Sequence, residues 1–236
     1  MGEKKKDMAS STFITIKDSL SDKGSFSAYH VRPAKSMARG GIVILQEIFG
    51  LNGYIREVCD SFANDGFEVI APALFDRAEK NIELGYDSEE VAKGLALKEA
   101  VDAYSESDIM ACSAHLSDQL KIAVIGYCWG GSLAWRMACR HSRFDATICY
   151  YGGQLPSLAQ EVPTCPVLAH FGRKDASIPM EGVEKFIAAR TEVESHIYEA
   201  DHGFSCHHRK QYDATSAMLA RSRSTAFLDR HLAGLS

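Results

Sequence analysis

A cysteine stands between two glycines in the segment Gly126-Tyr127-Cys128-Trp129-Gly130. An apolar run precedes the segment and a helical pattern follows it, so this is a G-x-C-x-G turn between a strand and a helix. Such a turn holds its central residue in a strained backbone conformation, and its glycines let strand and helix approach closely. The helix N-terminus carries partial positive charge, which favours a thiolate. We therefore predict that Cys128 is a nucleophile.

A cysteine nucleophile needs a base, and the base needs a group that orients it. Asp175 follows the apolar run 167–171, and His202 follows the strand-like run 194–199. Both residues would lie in loops beyond the carboxyl ends of parallel strands, where ligands bind in such sheets. The order Cys128, Asp175, His202 predicts a catalytic triad, with the histidine as base and the aspartate holding its tautomer.

The elements that must position these residues are short apolar runs separated by helical patterns. Residues 12–17 and 26–32 alternate as the strands of an antiparallel hairpin around a turn at 18–25. Buried strands are predicted at 42–45, 67–71, 122–125, 146–151 and 167–171. Helices are predicted at 52–64, 88–104, 107–116, 129–139, 180–191 and 213–232. This alternation predicts an α/β fold with a mostly parallel, doubly wound sheet, an N-terminal antiparallel hairpin and helices on both faces.

Length and composition indicate one ordinary folded domain. The 236 residues suit a flexible tail at 1–10 and a single domain at 11–236. A net charge of -5 does not favour binding to the phosphates of nucleic acid, so we expect no nucleic-acid partner. No apolar run is long enough to span a membrane, and the N-terminus lacks the apolar core of a signal peptide, so we expect a cytoplasmic protein. Seven scattered cysteines without a C-x-x-C pair predict free thiols.

From residue 12 to residue 232 the chain resembles the dienelactone hydrolase family of α/β-hydrolases. Besides the segment around Cys128, the matching motifs are Gln46-Glu47-Ile48-Phe49-Gly50, the Asn52 helix with Arg56-Glu57, and Ala71-Pro72-Ala73-Leu74-Phe75 leading to Arg77. The resemblance implies an α/β-hydrolase fold and a monomer that acts on a small-molecule substrate without a cofactor. It also implies opening of enol lactones such as dienelactone (4-carboxymethylenebut-2-en-4-olide) to maleylacetate-type products through a thioester.

The resemblance adds three groups to the triad. Glu47 is implied as an acid that contacts the thiol and takes its proton when substrate binds. The alternative is an ordinary loop carboxylate paired with Arg77. An oxyanion hole is implied at the backbone N–H groups of Ile48 and Trp129, whose side chains would not take part.

Substrate contacts are expected from Arg77, Phe49, Tyr127, Phe204 and Cys206. Family members specific for dienelactone hold the substrate carboxylate with two arginines. One matches Arg77, and the other lies four residues after the catalytic histidine, where this chain has Cys206. The residue after the histidine is Gly203, where those members have serine. Arg209 lies close in sequence and is a candidate to replace the missing arginine.

Three alternative interpretations remain open at this point. Cys206 and Gly203 favour a broader carboxylesterase that acts on activated or aryl esters. A reactive Cys128 would also suit a non-catalytic redox-sensing protein, although such a protein does not require Asp175 and His202. Imidazole and thiolate groups at His202, Cys206, His207 and His208 are good zinc ligands, but no second ligand pair has a recognisable spacing. We therefore expect no metal.

Overall fold

The computed structural model describes residues 9–17, 24–34 and 37–232. Its strands are β1 (Ser10–Lys17), β2 (Ser25–Arg32), β3 (Gly41–Leu45), β4 (Glu68–Pro72), β5 (Ile122–Tyr127), β6 (Ala146–Tyr150), β7 (Val167–Gly172) and β8 (Glu194–Tyr198). Its α-helices are α1 (Gly53–Asn64), α2 (Ser88–His115), α3 (Trp129–Arg140), α4 (Met180–Ala189) and α5 (Ala214–Leu232), and a 3-10 turn covers Leu74–Arg77.

In the described part of the chain, eight strands form one sheet in the order β1-β2-β4-β3-β5-β6-β7-β8. The β1–β2 and β2–β4 pairs are antiparallel, and every other pair is parallel. This arrangement confirms the predicted mostly parallel sheet with an N-terminal hairpin. The hairpin turn at 18–25 and the tail at 1–10 lie mostly outside the described residues, and β1 already begins at Ser10.

The central strands are buried along their whole length because helices cover the sheet. β3, β5, β6 and β7 contain only buried residues. On one face, α1 and α5 flank Tyr127 and Tyr150, which are paired neighbours on β5 and β6. On the other, α2 contacts α3, and Trp135 of α3 packs edge-on against Phe186 of α4. The parallel strands end at one edge of the sheet, where the predicted active-site loops begin.

One predicted break between helices is wrong. Residues 88–115 form a single helix that begins after Asp87, whose carboxylate accepts the backbone N–H groups of Glu89 and Glu90. The serines near the predicted break do not interrupt it. Ser105 Oγ donates to the Val101 carbonyl, so this hydroxyl is satisfied within the helix. The helix buries one face both before and after the serines, at Leu97 and Val101 and again at Ile109 and Cys112, and this burial keeps it continuous.

None of the helices in the described ranges is long and apolar enough to cross a membrane.

Candidate active site

Cys128 lies at the junction of β5 and α3 in a backbone conformation that few residues adopt. Its φ and ψ are 56° and -115°, a positive-φ conformation that is strained for any residue with a side chain. A Cβ at Gly130 would lie 2.5 Å from the Leu45 carbonyl oxygen, and one at Gly126 would lie 1.8 Å from the Gly130 carbonyl oxygen. Both glycines are therefore needed for β3, β5 and α3 to meet at this turn.

His202 and Asp175 form a short hydrogen bond at the same edge of the sheet. His202 Nδ1 lies 2.7 Å from Asp175 Oδ2, and the aspartate side chain is fully buried. The second oxygen of Asp175 accepts the backbone N–H groups of Ser177 and Ile178 at 2.8 and 3.1 Å. These bonds fix the carboxylate, so the Nδ1 proton of His202 points to it and Nε2 is left for other chemistry.

The pKa of His202 is raised to about 10 from its ordinary value of 6.5. Burial lowers this pKa, but a charge interaction and a hydrogen bond with Cys128, together with the Asp175 carboxylate, outweigh the burial. A protonated imidazole at this edge of the sheet stabilises negative charge that develops on a neighbouring sulfur during a reaction.

Glu47 is buried beside this pair and keeps one oxygen without a partner. Its Oε1 accepts a hydrogen bond from Arg209 Nη1 at 3.1 Å, and its side chain is 1% exposed. Within the described ranges Oε2 has no hydrogen-bond partner. Burial raises the pKa of Glu47, although the charges of Arg209 and His202 oppose this rise. The alternative pairing of Glu47 with Arg77 is wrong, because Glu47 pairs with Arg209.

Arg209 reaches Glu47 by crossing directly over Gly203. A Cβ at Gly203, where φ is +78°, would lie 2.5 Å from Arg209 Nη1 and 2.7 Å from its Cζ. The guanidinium also lies 5.4 Å from the Phe49 ring centre and 5.8 Å from that of Tyr86. Among the described side chains, Arg209 Nε is a buried donor without an acceptor. A residue larger than glycine at 203 would displace this guanidinium.

Comparison with known proteins identifies the family. The model of the dienelactone hydrolase family matches residues 26–232. The chain belongs to this family.

Curated relatives and a solved structure agree with the family assignment. The chain is 35% identical over 222 residues to an Azospirillum brasilense protein provisionally named carboxymethylenebutenolidase, covering 89% of this chain and 96% of the relative. It is 32% identical over 216 residues to carboxymethylenebutenolidase 1 of Cupriavidus pinatubonensis, covering 87% and 92%. A crystal structure of a provisionally named dienelactone hydrolase from Klebsiella pneumoniae superposes with a TM-score of 0.75 at 25% identity, covering 94% and 100%. The protein is thus an α/β-hydrolase-fold enzyme that acts on ester or lactone bonds.

Arg77 forms an ion pair with Asp108 in this chain. The residue matches one of the family's two carboxylate-binding arginines. Its Nε lies 3.0 Å from Asp108 Oδ2 and its Nη2 lies 2.5 Å from Asp108 Oδ1. Both side chains are 1% exposed, and Arg77 Nη1 donates to the Gly24 carbonyl. The expected contact between Arg77 and substrate is corrected to a buried ion pair, because a ligand would have to displace Asp108.

Cys206, at the family's second arginine position, is a buried neutral thiol. Its Sγ lies 3.4 Å from the Tyr86 hydroxyl. Burial raises the pKa of Cys206 to about 11, and the Glu47 charge adds to this rise. Cys206 therefore offers no charge to a substrate carboxylate.

Two predicted substrate contacts belong instead to packing. Phe204 is fully buried between the rings of Tyr151 and Tyr198. Tyr127 is 3% exposed, and its ring faces a cavity of about 850 Å³ between α1 and α5 that is lined also by Tyr54 and Tyr150. We call this space the α1/α5 cavity. Phe204 is thus corrected to a core residue, and Tyr127 to a residue on the α1/α5 side.

The remaining predicted residues lie near the Cys128 turn. Phe49 is 2% exposed and packs edge-on against Tyr86, 4.7 Å between ring centres. The backbone N–H of Gly130 donates to the Gln46 carbonyl at 3.1 Å, which joins the loop carrying Ile48 to the start of α3 at Trp129. The Trp129 indole donates to Asp102, so its side chain is engaged elsewhere.

Two residues near this site have no signal in the sequence. Tyr86 contacts Phe49, Cys206 and Arg209, and Tyr151 packs against the His202 ring with 5.1 Å between ring centres. Tyr86 lies in an irregular segment without a motif. Tyr151 ends an apolar run, but its φ of 37° marks a special position that only the structure reveals.

Proposed function

We propose that the enzyme opens enol lactones of the dienelactone type through a triad of Cys128, His202 and Asp175. The observation that carries this proposal is the 2.7 Å His202–Asp175 hydrogen bond beside a cysteine held at a positive φ between β5 and α3. A cysteine with a merely structural role would need neither the strained turn nor an imidazole oriented by a buried carboxylate.

In the first half-reaction the Cys128 sulfur attacks the lactone carbonyl carbon. The thiol proton passes to Glu47 Oε2, the buried carboxylate oxygen without a partner. The developing oxyanion accepts the N–H groups of Ile48 and Trp129, which donate no hydrogen bond within the described part of the chain. The ring C–O bond breaks, a thioester forms, and the released enolate takes the proton from Glu47.

In the second half-reaction water hydrolyses the thioester. Part of the rise in the His202 pKa comes from charge on Cys128, and acylation removes that charge. The imidazolium therefore releases its proton to solvent, from which it is recovered after turnover, and His202 is a neutral base when water must be deprotonated. The water oxygen adds to the acyl carbon, the C–S bond breaks, and His202 returns the proton to the sulfur. The net reaction adds one water across the ester bond.

Arg209 is the group proposed to bind a carboxylate on the substrate. Its guanidinium holds Glu47, and its Nε is an unused buried donor. A substrate carboxylate would compete with Glu47 for this cation and so free Glu47 to accept the thiol proton. This role supports enol lactones that carry a carboxylate. The enolate released from such a lactone is stabilised by conjugation, which lets it leave in preference to the thiolate and drives the tetrahedral intermediate forward.

The proposal is tested by steady-state hydrolysis of cis- and trans-dienelactone beside p-nitrophenyl acetate. We expect Cys128→Ala to lower kcat on every hydrolysed substrate by about 10⁴-fold or more. Cys139→Ala is the matched control, since Cys139 is also partly exposed but lies near the end of α3. Wild-type turnover by Cys128→Ala would contradict the mechanism.

A broader carboxylesterase is the second candidate, and one observation favours it. Because Arg77 is paired with Asp108, Arg209 alone of these two arginines is left for binding a substrate carboxylate. Turnover of the aryl ester alone, lost in Cys128→Ala, would select this candidate. Turnover of a dienelactone that falls much further in Arg209→Ala than turnover of the aryl ester would select the lactonase.

A further inference from the structure

Two adjacent histidines and a glutamate converge on one point outside the triad. His207 and His208 are the central residues of a turn that is closed by a hydrogen bond from the Arg209 N–H to the Cys206 carbonyl. Their Nε2 atoms lie 3.0 and 3.1 Å from the same oxygen, Oε2 of Glu57 on α1. In an extended backbone, the side chains of two adjacent residues point in opposite directions. The turn therefore brings both imidazoles to this carboxylate.

The spacing of these atoms suits a metal ion of zinc size. With zinc bonds of 2.0 to 2.2 Å, two ligand atoms lie about 2.9 Å apart at right angles and about 3.3 Å apart at a tetrahedral angle. Both nitrogen–oxygen distances fall in this interval. All three ligand atoms lie within 4.8 Å of one another, and the half-exposed rings can rotate to close the remaining edge.

We propose that Glu57, His207 and His208 form a binding site for a divalent transition-metal ion, with zinc as the preferred ion. Two imidazole nitrogens and one carboxylate oxygen are a donor set that zinc accepts, with the fourth position left to water. The Tyr54 ring lies 5.9 Å from one imidazole and 6.0 Å from the other, and it forms the apolar floor of the site. Glu57 and His207 also line the α1/α5 cavity, so the site is open to solvent.

This site differs from the metal set considered from the sequence. His202 is bound to Asp175 and Cys206 contacts Tyr86, and neither belongs to the group of ligand atoms that converges at Glu57. The ligand that was not considered from the sequence is Glu57, which lies 151 positions before His208 in the chain. The proposed site is thus a two-histidine, one-carboxylate site at which the ion would join α1 to the loop that carries His202 and Arg209.

The site is tested by calorimetric titration of the metal-free full chain with zinc chloride. We expect one zinc per chain, and a Kd raised at least about tenfold by each of His207→Ala, His208→Ala and Glu57→Gln. The matched control is His141→Ala. His141 Nε2 lies 3.0 Å from a carboxylate oxygen of Glu106, but no second histidine joins that contact. We expect this control to bind zinc as the wild type does.

A second titration distinguishes the proposed site from zinc captured by the catalytic thiol. Binding that persists in Cys128→Ala, together with visible Co²⁺ bands that lack sulfur charge transfer, supports the proposed nitrogen and oxygen ligands. The absence of saturable binding to the wild type would overturn the proposal. Binding that is lost in Cys128→Ala and kept in His207→Ala would also overturn it. Thermal unfolding of each metal-free variant checks that it folds, and zinc should raise the Tm of the wild type and leave that of His207→Ala unchanged.

Discussion

Replacing Gly203 by alanine should separate Arg209 from Glu47 without changing either charged residue. The new Cβ would lie 2.5 Å from Arg209 Nη1 and 2.7 Å from its Cζ, so the guanidinium must move. The Nη1 atom that must move is the donor of the 3.1 Å hydrogen bond to Glu47. We therefore expect a loss of stability and a weaker hold on a substrate carboxylate.

The magnitude follows from a comparison with Gly24→Ala. Gly24 has φ +82°, close to the +78° of Gly203, but no atom lies within 4 Å of its added Cβ. Alanine at this φ costs about 1 to 2 kcal/mol of unfolding free energy at either position. Loss of a hydrogen bond between charged groups adds about 1.5 to 3 kcal/mol at Gly203 alone. If Arg209 binds the substrate carboxylate, the same energy raises KM for the anionic lactone by about 10- to 100-fold.

Urea unfolding and steady-state kinetics measure the two effects. Both glycine variants are made in the wild-type chain and again in an Arg209→Ala background. The extra cost of Gly203→Ala over Gly24→Ala should vanish when Arg209 is absent. Equal costs for the two variants in the wild-type chain, or an extra cost that survives in Arg209→Ala, would refute the reasoning.

Three further predictions concern the triad and the buried ion pair. Asp175→Asn should lower kcat by about 10³- to 10⁴-fold, measured on the best substrate, because an amide no longer holds the His202 tautomer. Arg77→Ala should cost about 3 to 5 kcal/mol in urea unfolding, because Asp108 is left buried without this cation. The third prediction is a fall in Tm between pH 6.5 and about 10 that is steeper in the wild type than in His202→Gln. The raised pKa of His202 contributes stability that is complete below its unfolded value and lost as pH rises through the folded value.

Each of these three predictions has an outcome that contradicts it. Unchanged kcat in Asp175→Asn would remove the aspartate from the mechanism. An Arg77→Ala variant that unfolds like the wild type but binds anionic substrate weakly would restore Arg77 as a substrate ligand. Parallel Tm curves for wild type and His202→Gln would show that His202 is not held protonated in the folded state.

Features set by short-range pattern were predictable from the sequence. The turn at Cys128 depends on glycines two residues away on either side, and their clashes with Leu45 and Gly130 carbonyls explain why they are glycines. The apolar runs gave the parallel strands, because residues buried on both faces of a sheet are apolar in succession. The break inside α2 was misplaced because serine hydroxyls bond either to their own helix or outside it, and pattern does not distinguish the two.

The sequence by itself determined the sheet, and it predicted the nucleophile and the order of its partners. Only the tertiary structure decided which charges pair: Arg209 with Glu47, Arg77 with Asp108, and two histidines with Glu57. Residue types and spacing fix local backbone geometry. The pairing of charged side chains depends on which groups lose water together when distant segments meet, and in this chain those segments lie up to 162 positions apart.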